Sequence, residues 1–417
     1  MSLKKVFCTV PWLEVHINAD GTYHTCGAQR NSMSGSQDGE VYNVHNMSVS
    51  DWANSEYQKS ARLKKINGVA ESLCSMCYNE EATGSSSKRS RENLKSHISD
   101  INFYHDYKHS PDASIFKYSE DNNGLTDILH PISYHMSLGN ECNLACKMCN
   151  PTFSSKIAAA MVKEKTYSGP IRMNWTDNTQ SWNSVIDTMC QTKNLKFVHI
   201  IGGEPLLNPR FNELIDRLLQ ANLTDIYLGF TTNGTMFDSK LLDKLSMFRH
   251  VDIGISVEGS GKLNDYIRAQ TESVLGNIEH YLKYRKQGRV YVTIRTVPSA
   301  LSVHTLDDLY RWCIGKEVDV MSNILTTPEY LQIRNLPVSV KQKLLDRYNK
   351  WEYSTPLPGI SDPRDPTRFR EHIDNEIRAV VQSLQQPGDN TLTEALYKNL
   401  EAWQWFADPE IKSYFYV

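Results

Sequence analysis

From about residue 131 the chain alternates short β-branched apolar runs with stretches of helical period. Residues 131–138, 195–201, 225–231, 251–257, 290–297 and 318–325 read as strands. Helices are predicted between them at 154–163, 209–221, 240–248, 272–286 and 306–314; the second carries Phe211, Leu214, Leu218 and Leu219 on one face. Such alternation implies parallel strands joined by right-handed crossovers. The expected fold class is α/β, a partial (β/α)6 TIM-like barrel.

The flanking segments are patterned differently. Residues 12–18 and 22–25 surround an Ala-Asp-Gly turn and predict a β-hairpin. Residues 83–91 are polar and flexible in composition, 111–124 are rich in Ser, Asp and Asn and mark a boundary, and 166–181 resemble an unpatterned insertion. A loop is expected at 326–337, then helices at 340–352 and 369–384 separated by the proline-rich 356–365. The tail from Leu396 concentrates aromatic residues and is expected to dock on the body of the protein. The predicted organisation is an N-terminal Cys-rich segment (1–125), a barrel (126–330) and a C-terminal helical extension (331–417).

Composition narrows the classes. A chain of 417 residues can bury a sizeable core, and a formal net charge of −3 supplies no basic footprint for duplex nucleic acid. No apolar run is long enough to span a membrane. The first residues imitate a signal peptide, but Pro11, Glu14 and His16 interrupt the run, so that reading is rejected. Cysteines in C-x2-C spacing then read as metal ligands in a reducing compartment, which makes the cytoplasm the expected location.

The candidate chemistry centres on Cys142, Cys146 and Cys149, spaced C-x3-C-x2-C in the loop after the first barrel strand. Three thiolates can ligate three irons of a cubane and leave the fourth open, and an open position is where chemistry happens. Gly202-Gly203-Glu204-Pro205 closes the next strand, Thr232-Asn233-Gly234 the third, and Ser256-Val257-Glu258-Gly259 with Arg268 follows the fourth. In these motifs the chain resembles the radical S-adenosylmethionine (radical SAM) enzymes. The resemblance implies a 4Fe–4S cluster on the three cysteines, with its open iron taking the amino and carboxylate groups of SAM. Gly202, Gly203, Glu204 and Pro205 correspond to the motif that holds the SAM amine. Met148, Asn233, Ser256 and Arg268 fall at further cofactor-binding positions. Two positions depart from the family pattern: Met148 stands where an aromatic is common, and Glu258 where Asp is frequent. A flavodoxin or ferredoxin is the implied electron donor. No catalytic acid or base is assigned. Cys190 and Cys313 sit in helical patterns and read as buried packing.

A second set comprises Cys8, Cys26, Cys74 and Cys77. Cys8 and Cys26 flank the hairpin, and Cys74-x2-Cys77 adds a two-ligand hook. Four thiolates suit either zinc or an iron–sulfur cluster. With Gly21, the set is similar to the auxiliary-cluster region of radical SAM proteins with twitch or SPASM domains, in its shorter twitch form. Here it precedes the barrel rather than following it. The resemblance favours an auxiliary 4Fe–4S cluster that transfers electrons. Its substrates would be peptide or protein side chains, or small aminated, sugar-like or nucleotide-like molecules. A competing reading is a metal-stabilised binding module in which both cysteine sets are structural, with His135 as a fourth ligand to the first.

Overall fold

The computed structural model describes residues 6–28, 36–37, 40–82, 87–94, 114–269, 271–285, 289–355 and 369–416. The proline-rich break at 356–365, the start of the 111–124 boundary and most of the Gly- and Ser-rich stretch 83–86 lie outside them. Ten strands occur among the described residues: β1 (Glu14–Ile17), β2 (Tyr23–His24), β3 (Ser36–Gln37), β4 (Glu40–Val41), β5 (Ser133–Ser137), β6 (Phe197–Ile201), β7 (Tyr227–Thr232), β8 (His250–Ser256), β9 (Val290–Thr296) and β10 (Asp319–Ser322). β3 and β4 form a separate antiparallel pair, and the other eight make one sheet in the order β10-β9-β8-β7-β6-β5-β1-β2. The pairs β1–β5, β5–β6, β6–β7 and β9–β10 are parallel, while β1–β2 is antiparallel. Strands β5 to β10 coincide with the six strands predicted from the apolar runs. Among the described residues no helix is long and apolar enough to cross a membrane.

The chain divides into two compact units. The first comprises residues 1–142, 151–230 and 243–251. In it, β1 pairs in register with β5 (Glu14 with Ser133, His16 with His135) and β5 with β6 (His135 with His199). Because side chains alternate along a strand, the sheet has two unlike faces. Val15, Ile17, Tyr134, Met136, Val198 and Ile200 are fully buried on one face. Glu14, His16, His135 and His199 share the other.

Three expectations are corrected in this unit. The supposed insertion at 166–181 ends in a 3-10 turn, Trp175–Asp177, and a helix, Thr179–Gln191, that buries Trp182, Val185, Ile186 and Met189. The supposed boundary contains the helix Ser114–Asp121, whose Phe116 packs in the core with Phe7, Trp12, Leu13 and Ile66. From Ser87 onward the supposed flexible loop is the helix Lys88–Leu94, with Ser87 and Arg89 buried. Polar residues are inside in each case because they are hydrogen-bonded there. Arg62 is the strongest instance: fully buried, it donates to the carbonyls of Pro11, Ala53 and Gly124 at 3.0, 2.7 and 2.6 Å. It thereby fixes the helix Glu56–Ile66 to the N-terminal segment.

The second unit comprises residues 143–150, 231–242 and 252–417. Its C-terminal helices are Val338–Tyr348, Phe369–Gln385, Asn390–Ala402 and Pro409–Phe415. The aromatic tail docks as expected: Trp405 and Phe415 are buried, and Tyr266 donates to Asp408 at 3.2 Å. His304 lies against the Tyr414 and Phe415 rings with its Nε2 3.1 Å from the Ala300 carbonyl. Burial, aided by Lys343 and Arg347, lowers its pKa to about 3. It is neutral in the fold and takes a proton when unfolded below about pH 6.5, so the stability it contributes at neutral pH is lost as pH falls from 6.5 toward 3. Acidification from pH 6.5 to 5 is expected to cost about 2 kcal/mol through this residue. In urea unfolding measured across that range, His304→Phe should flatten the pH slope; an unchanged slope would assign the acid sensitivity elsewhere.

Candidate active site

In the first unit, β5 delivers the chain to the cysteine loop, and Asn140 locks the base of that loop. Its buried side chain donates to the carbonyls of Pro151 (2.9 Å) and Ile171 (3.0 Å) and accepts from the Met173 amide (2.9 Å). Cys142 is half-buried, and Ser154 caps the following helix, Ser155–Lys163. The Gly-Gly-Glu-Pro turn after β6 packs directly on this loop base. Gly202 and Gly203 have φ of +83° and +44°, and a Cβ on them would lie 1.6 Å from Ser137 Oγ and 2.2 Å from the Glu141 carbonyl oxygen. Only glycine combines that conformation with so close an approach. The Glu204 amide donates to the same Glu141 carbonyl at 2.7 Å. The Glu204 side chain is buried and accepts from the Leu206 amide at 3.2 Å, at the start of the turn Pro205–Leu207.

The second unit holds the rest of the loop. Cys146 is buried, Met148 and Cys149 are half-buried, and the Lys147 amide donates to the Ile267 carbonyl at 3.0 Å. The Lys147 ammonium sits 5.0 Å from the Trp403 ring centre, so the docked tail reaches this segment. Asn233 donates to Asn143 Oδ1 at 2.7 Å, and Asn143 donates to Thr235 Oγ1 at 2.8 Å. Ser256 ends β8 and is half-buried. The guanidinium of Arg268 is engaged: Nη1 donates to Glu258 Oε1 at 3.0 Å, and Glu258 Oε2 accepts from the Val297 amide at 2.6 Å. The longer Glu, where related enzymes often have Asp, thus ties β9 to the segment bearing Arg268. Burial alone would lower the Arg268 pKa, but Cys146, Glu258 and Cys149 outweigh it and raise it. Burial raises the Cys146 thiol and Arg268 opposes the rise.

The second cysteine set converges. Cys8, Cys26, Cys74 and Cys77 line one cavity, together with Lys65 and Arg89. Lys65 donates to Cys74 Sγ at 3.0 Å and pairs with Glu71 at 2.7 Å. Arg89 Nη1 donates to the Phe7 carbonyl at 2.9 Å, beside Cys8. Burial pushes the Cys26 thiol up to about 12 and raises Cys8 and Cys77. Buried thiols that resist ionisation, with cations at hand, form a donor set that a metal centre would complete. Among the described residues no three of these sulfurs lie within 4.8 Å of one another. Nothing in sequence spacing pointed to Lys65 or Arg89. Of the remaining cysteines, Cys313 is buried as expected, whereas Cys190 is only half-buried.

Residues 136–313, less than half of the chain, match the family model for the radical SAM superfamily. It is similar to mycofactocin maturase MftC of Mycobacterium tuberculosis (27% identity over 139 residues, 33% of this chain and 30% of the relative). It is also similar to the GTP 3′,8-cyclase of Synechocystis (29% over 123 residues, 30% and 32%). The matched segment thus spans about a third of these curated relatives. Both relatives are named as enzymes. Among solved structures, anSMEcpe with bound AdoMet covers 52% of this chain and 60% of its own at 18% identity and a TM-score of 0.38. Streptococcus suis SuiB covers 74% and 64% at 15% identity and 0.34.

Proposed function

We propose that this protein cleaves SAM reductively at a 4Fe–4S cluster on Cys142, Cys146 and Cys149, using an auxiliary 4Fe–4S cluster on Cys8, Cys26, Cys74 and Cys77 to exchange electrons with its substrate. The observation that carries the reading is the packing of the Gly202–Gly203 turn on the base of the cysteine loop, which sets the SAM-amine motif against the cluster motif. A cluster held by Cys142, Cys146 and Cys149 would supply the one-electron reduction, with a flavodoxin or ferredoxin as donor, that splits SAM into methionine and a 5′-deoxyadenosyl radical able to take a hydrogen atom from a substrate C–H. In this reading Glu204 accepts from the SAM ammonium, Asn233 orders the loop through Asn143, and Arg268 holds positive charge beside Cys146 and Cys149. Ser256 and Met148 contact the cofactor. The alternating strands and helices support the partial-barrel arrangement.

Four thiols lining one cavity suit a cubane or zinc, and the resemblance to twitch-type proteins favours the cubane. That cubane is fully ligated by protein, so its role is electron transfer rather than substrate binding. A peptide or protein side chain is the proposed substrate, a reading supported by similarity to a maturase. Similarity to GTP 3′,8-cyclase favours a nucleotide-like molecule as the second reading.

The test is anaerobic iron and sulfide analysis with EPR before and after SAM. About eight irons per chain and a spectrum altered by SAM are expected, two cubanes giving eight. Zinc alone with no SAM response would leave a structural metal protein. Cys74→Ala should lower iron to about four per chain. It should also keep SAM cleavage within about threefold of wild type, since the first cluster is untouched, and reduce product by at least about tenfold. Normal product from that variant would remove the auxiliary cluster from the mechanism.

A further inference from the structure

The polar face shared by β1, β5 and β6 is costly for a fold and is not used by the reading above. Buried strand positions that could hold Val or Ile are given to Glu14 and His16, with the half-buried His135 and His199 alongside. The His16 and His135 rings lie 6.5 Å apart and those of His135 and His199 5.6 Å apart. Replacing buried ionisable groups by apolar ones is often neutral or stabilising, so their presence asks for a use.

Three donors on this side of the first unit meet. Ligand atoms of Glu14, Glu92 and His135 all lie within 4.8 Å of one another. Glu14 is buried and divides its oxygens: Oε1 accepts from Lys88 Nζ at 2.6 Å, and Oε2 faces His135 Nε2 at 3.2 Å. That Oε2 is buried and receives no hydrogen bond. Two donors each about 2.1 Å from one ion, at octahedral to tetrahedral angles, stand roughly 3.0–3.4 Å apart. The pair therefore has the bite of a chelate. Lys88 orients the carboxylate from its far side, the place an outer-shell partner takes in metal sites.

We propose that Glu14, Glu92 and His135 form a binding site for one divalent first-row transition ion, with Lys88 as the positioning residue for Glu14. Two carboxylates and one imidazole suit Mn2+, Fe2+ or Zn2+, and three protein ligands leave positions open to water or to an anionic oxygen of a substrate. None of its three ligands is a cysteine; Glu14 and Lys88 act electrostatically on Cys26, but the site does not rest on either cysteine set being loaded.

The probe is Mn2+, because oxygen and nitrogen donors hold it whereas vacant thiols hold it poorly. Anaerobically isolated protein is titrated with Mn2+ while the EPR signal of the free ion is followed. One saturable equivalent per chain is expected, weakened at least tenfold in Glu14→Gln and in Glu92→Gln. Melting curves show that the variants are folded, and Mn2+ should raise the midpoint of the wild type alone. Should Glu14→Gln fail to fold, Glu92→Gln and the wild-type melting shift decide. Absence of saturable binding, or equal binding in wild type and folded variants, would overturn the site.

Discussion

Cys146→Ala is expected to abolish SAM cleavage, with 5′-deoxyadenosine falling to background and iron dropping from about eight to about four per chain. Cys146 is the buried member of its triad, and its loop is held from several directions. The Lys147 amide is fixed to Ile267, and Asn143 is held between Asn233 and Thr235. Within its unit no spare thiol can replace it, because the other cysteines there are Cys149, already a ligand in this reading, and Cys313, buried in the helix Leu306–Gly315. A cluster with only two protein thiolates would be lost or poorly held. The N-terminal site should keep its own iron, so the residual EPR spectrum should no longer respond to SAM. Wild-type SAM cleavage by this variant, measured by chromatography of the nucleoside product, would remove the triad from the reaction.

Gly203→Ala should cost about 3 kcal/mol of stability and weaken SAM binding at least tenfold. A left-handed backbone costs an L-residue roughly 1–2 kcal/mol, and overpacking adds about 1–3. Here the new methyl meets the Glu141 carbonyl oxygen at 2.2 Å, which is main chain and cannot swing aside. Relief would come by pushing the turn off the loop, breaking the 2.7 Å bond from the Glu204 amide. Gly276 is the control: it lies within the helix Thr271–Arg285, and a Cβ there meets nothing within 4 Å. Gly276→Ala should stabilise slightly, by up to about 1 kcal/mol. Urea midpoints distinguish the two, and equal midpoints for both variants would contradict the packing described at Gly203.

The parallel strands were legible because runs such as 195–201 and 251–257 are β-branched and bounded by turn residues. The helix Thr179–Gln191 also carried its signal, in Trp182, Val185, Ile186 and Met189, but the unpatterned residues before it masked its start. Other features had no local signature. Glu14-Val-His-Ile17 shows only a strand beside a turn, and its parallel pairing with β5 is a long-range choice that no local pattern records. The cysteines announced themselves by spacing. Lys65, Arg89 and Asn140 did not, since a buried cation or amide looks like any surface residue until its partners are brought to it. The same holds for Glu14, Glu92 and His135, which only the fold brings together.

The pairing of β1 with β5 bears on how the protein is made. Glu14 and its partner Ser133 are 119 residues apart in the chain. At a synthesis rate of roughly 5–20 residues per second, β1 waits on the order of 6–24 seconds for the strand that covers its edge. All four N-terminal thiols, and every residue that lines their cavity, are synthesised before β5. In the proposed reading, the N-terminal cysteines are therefore the first complete ligand set to be synthesised, while the edge of β1 is still uncovered.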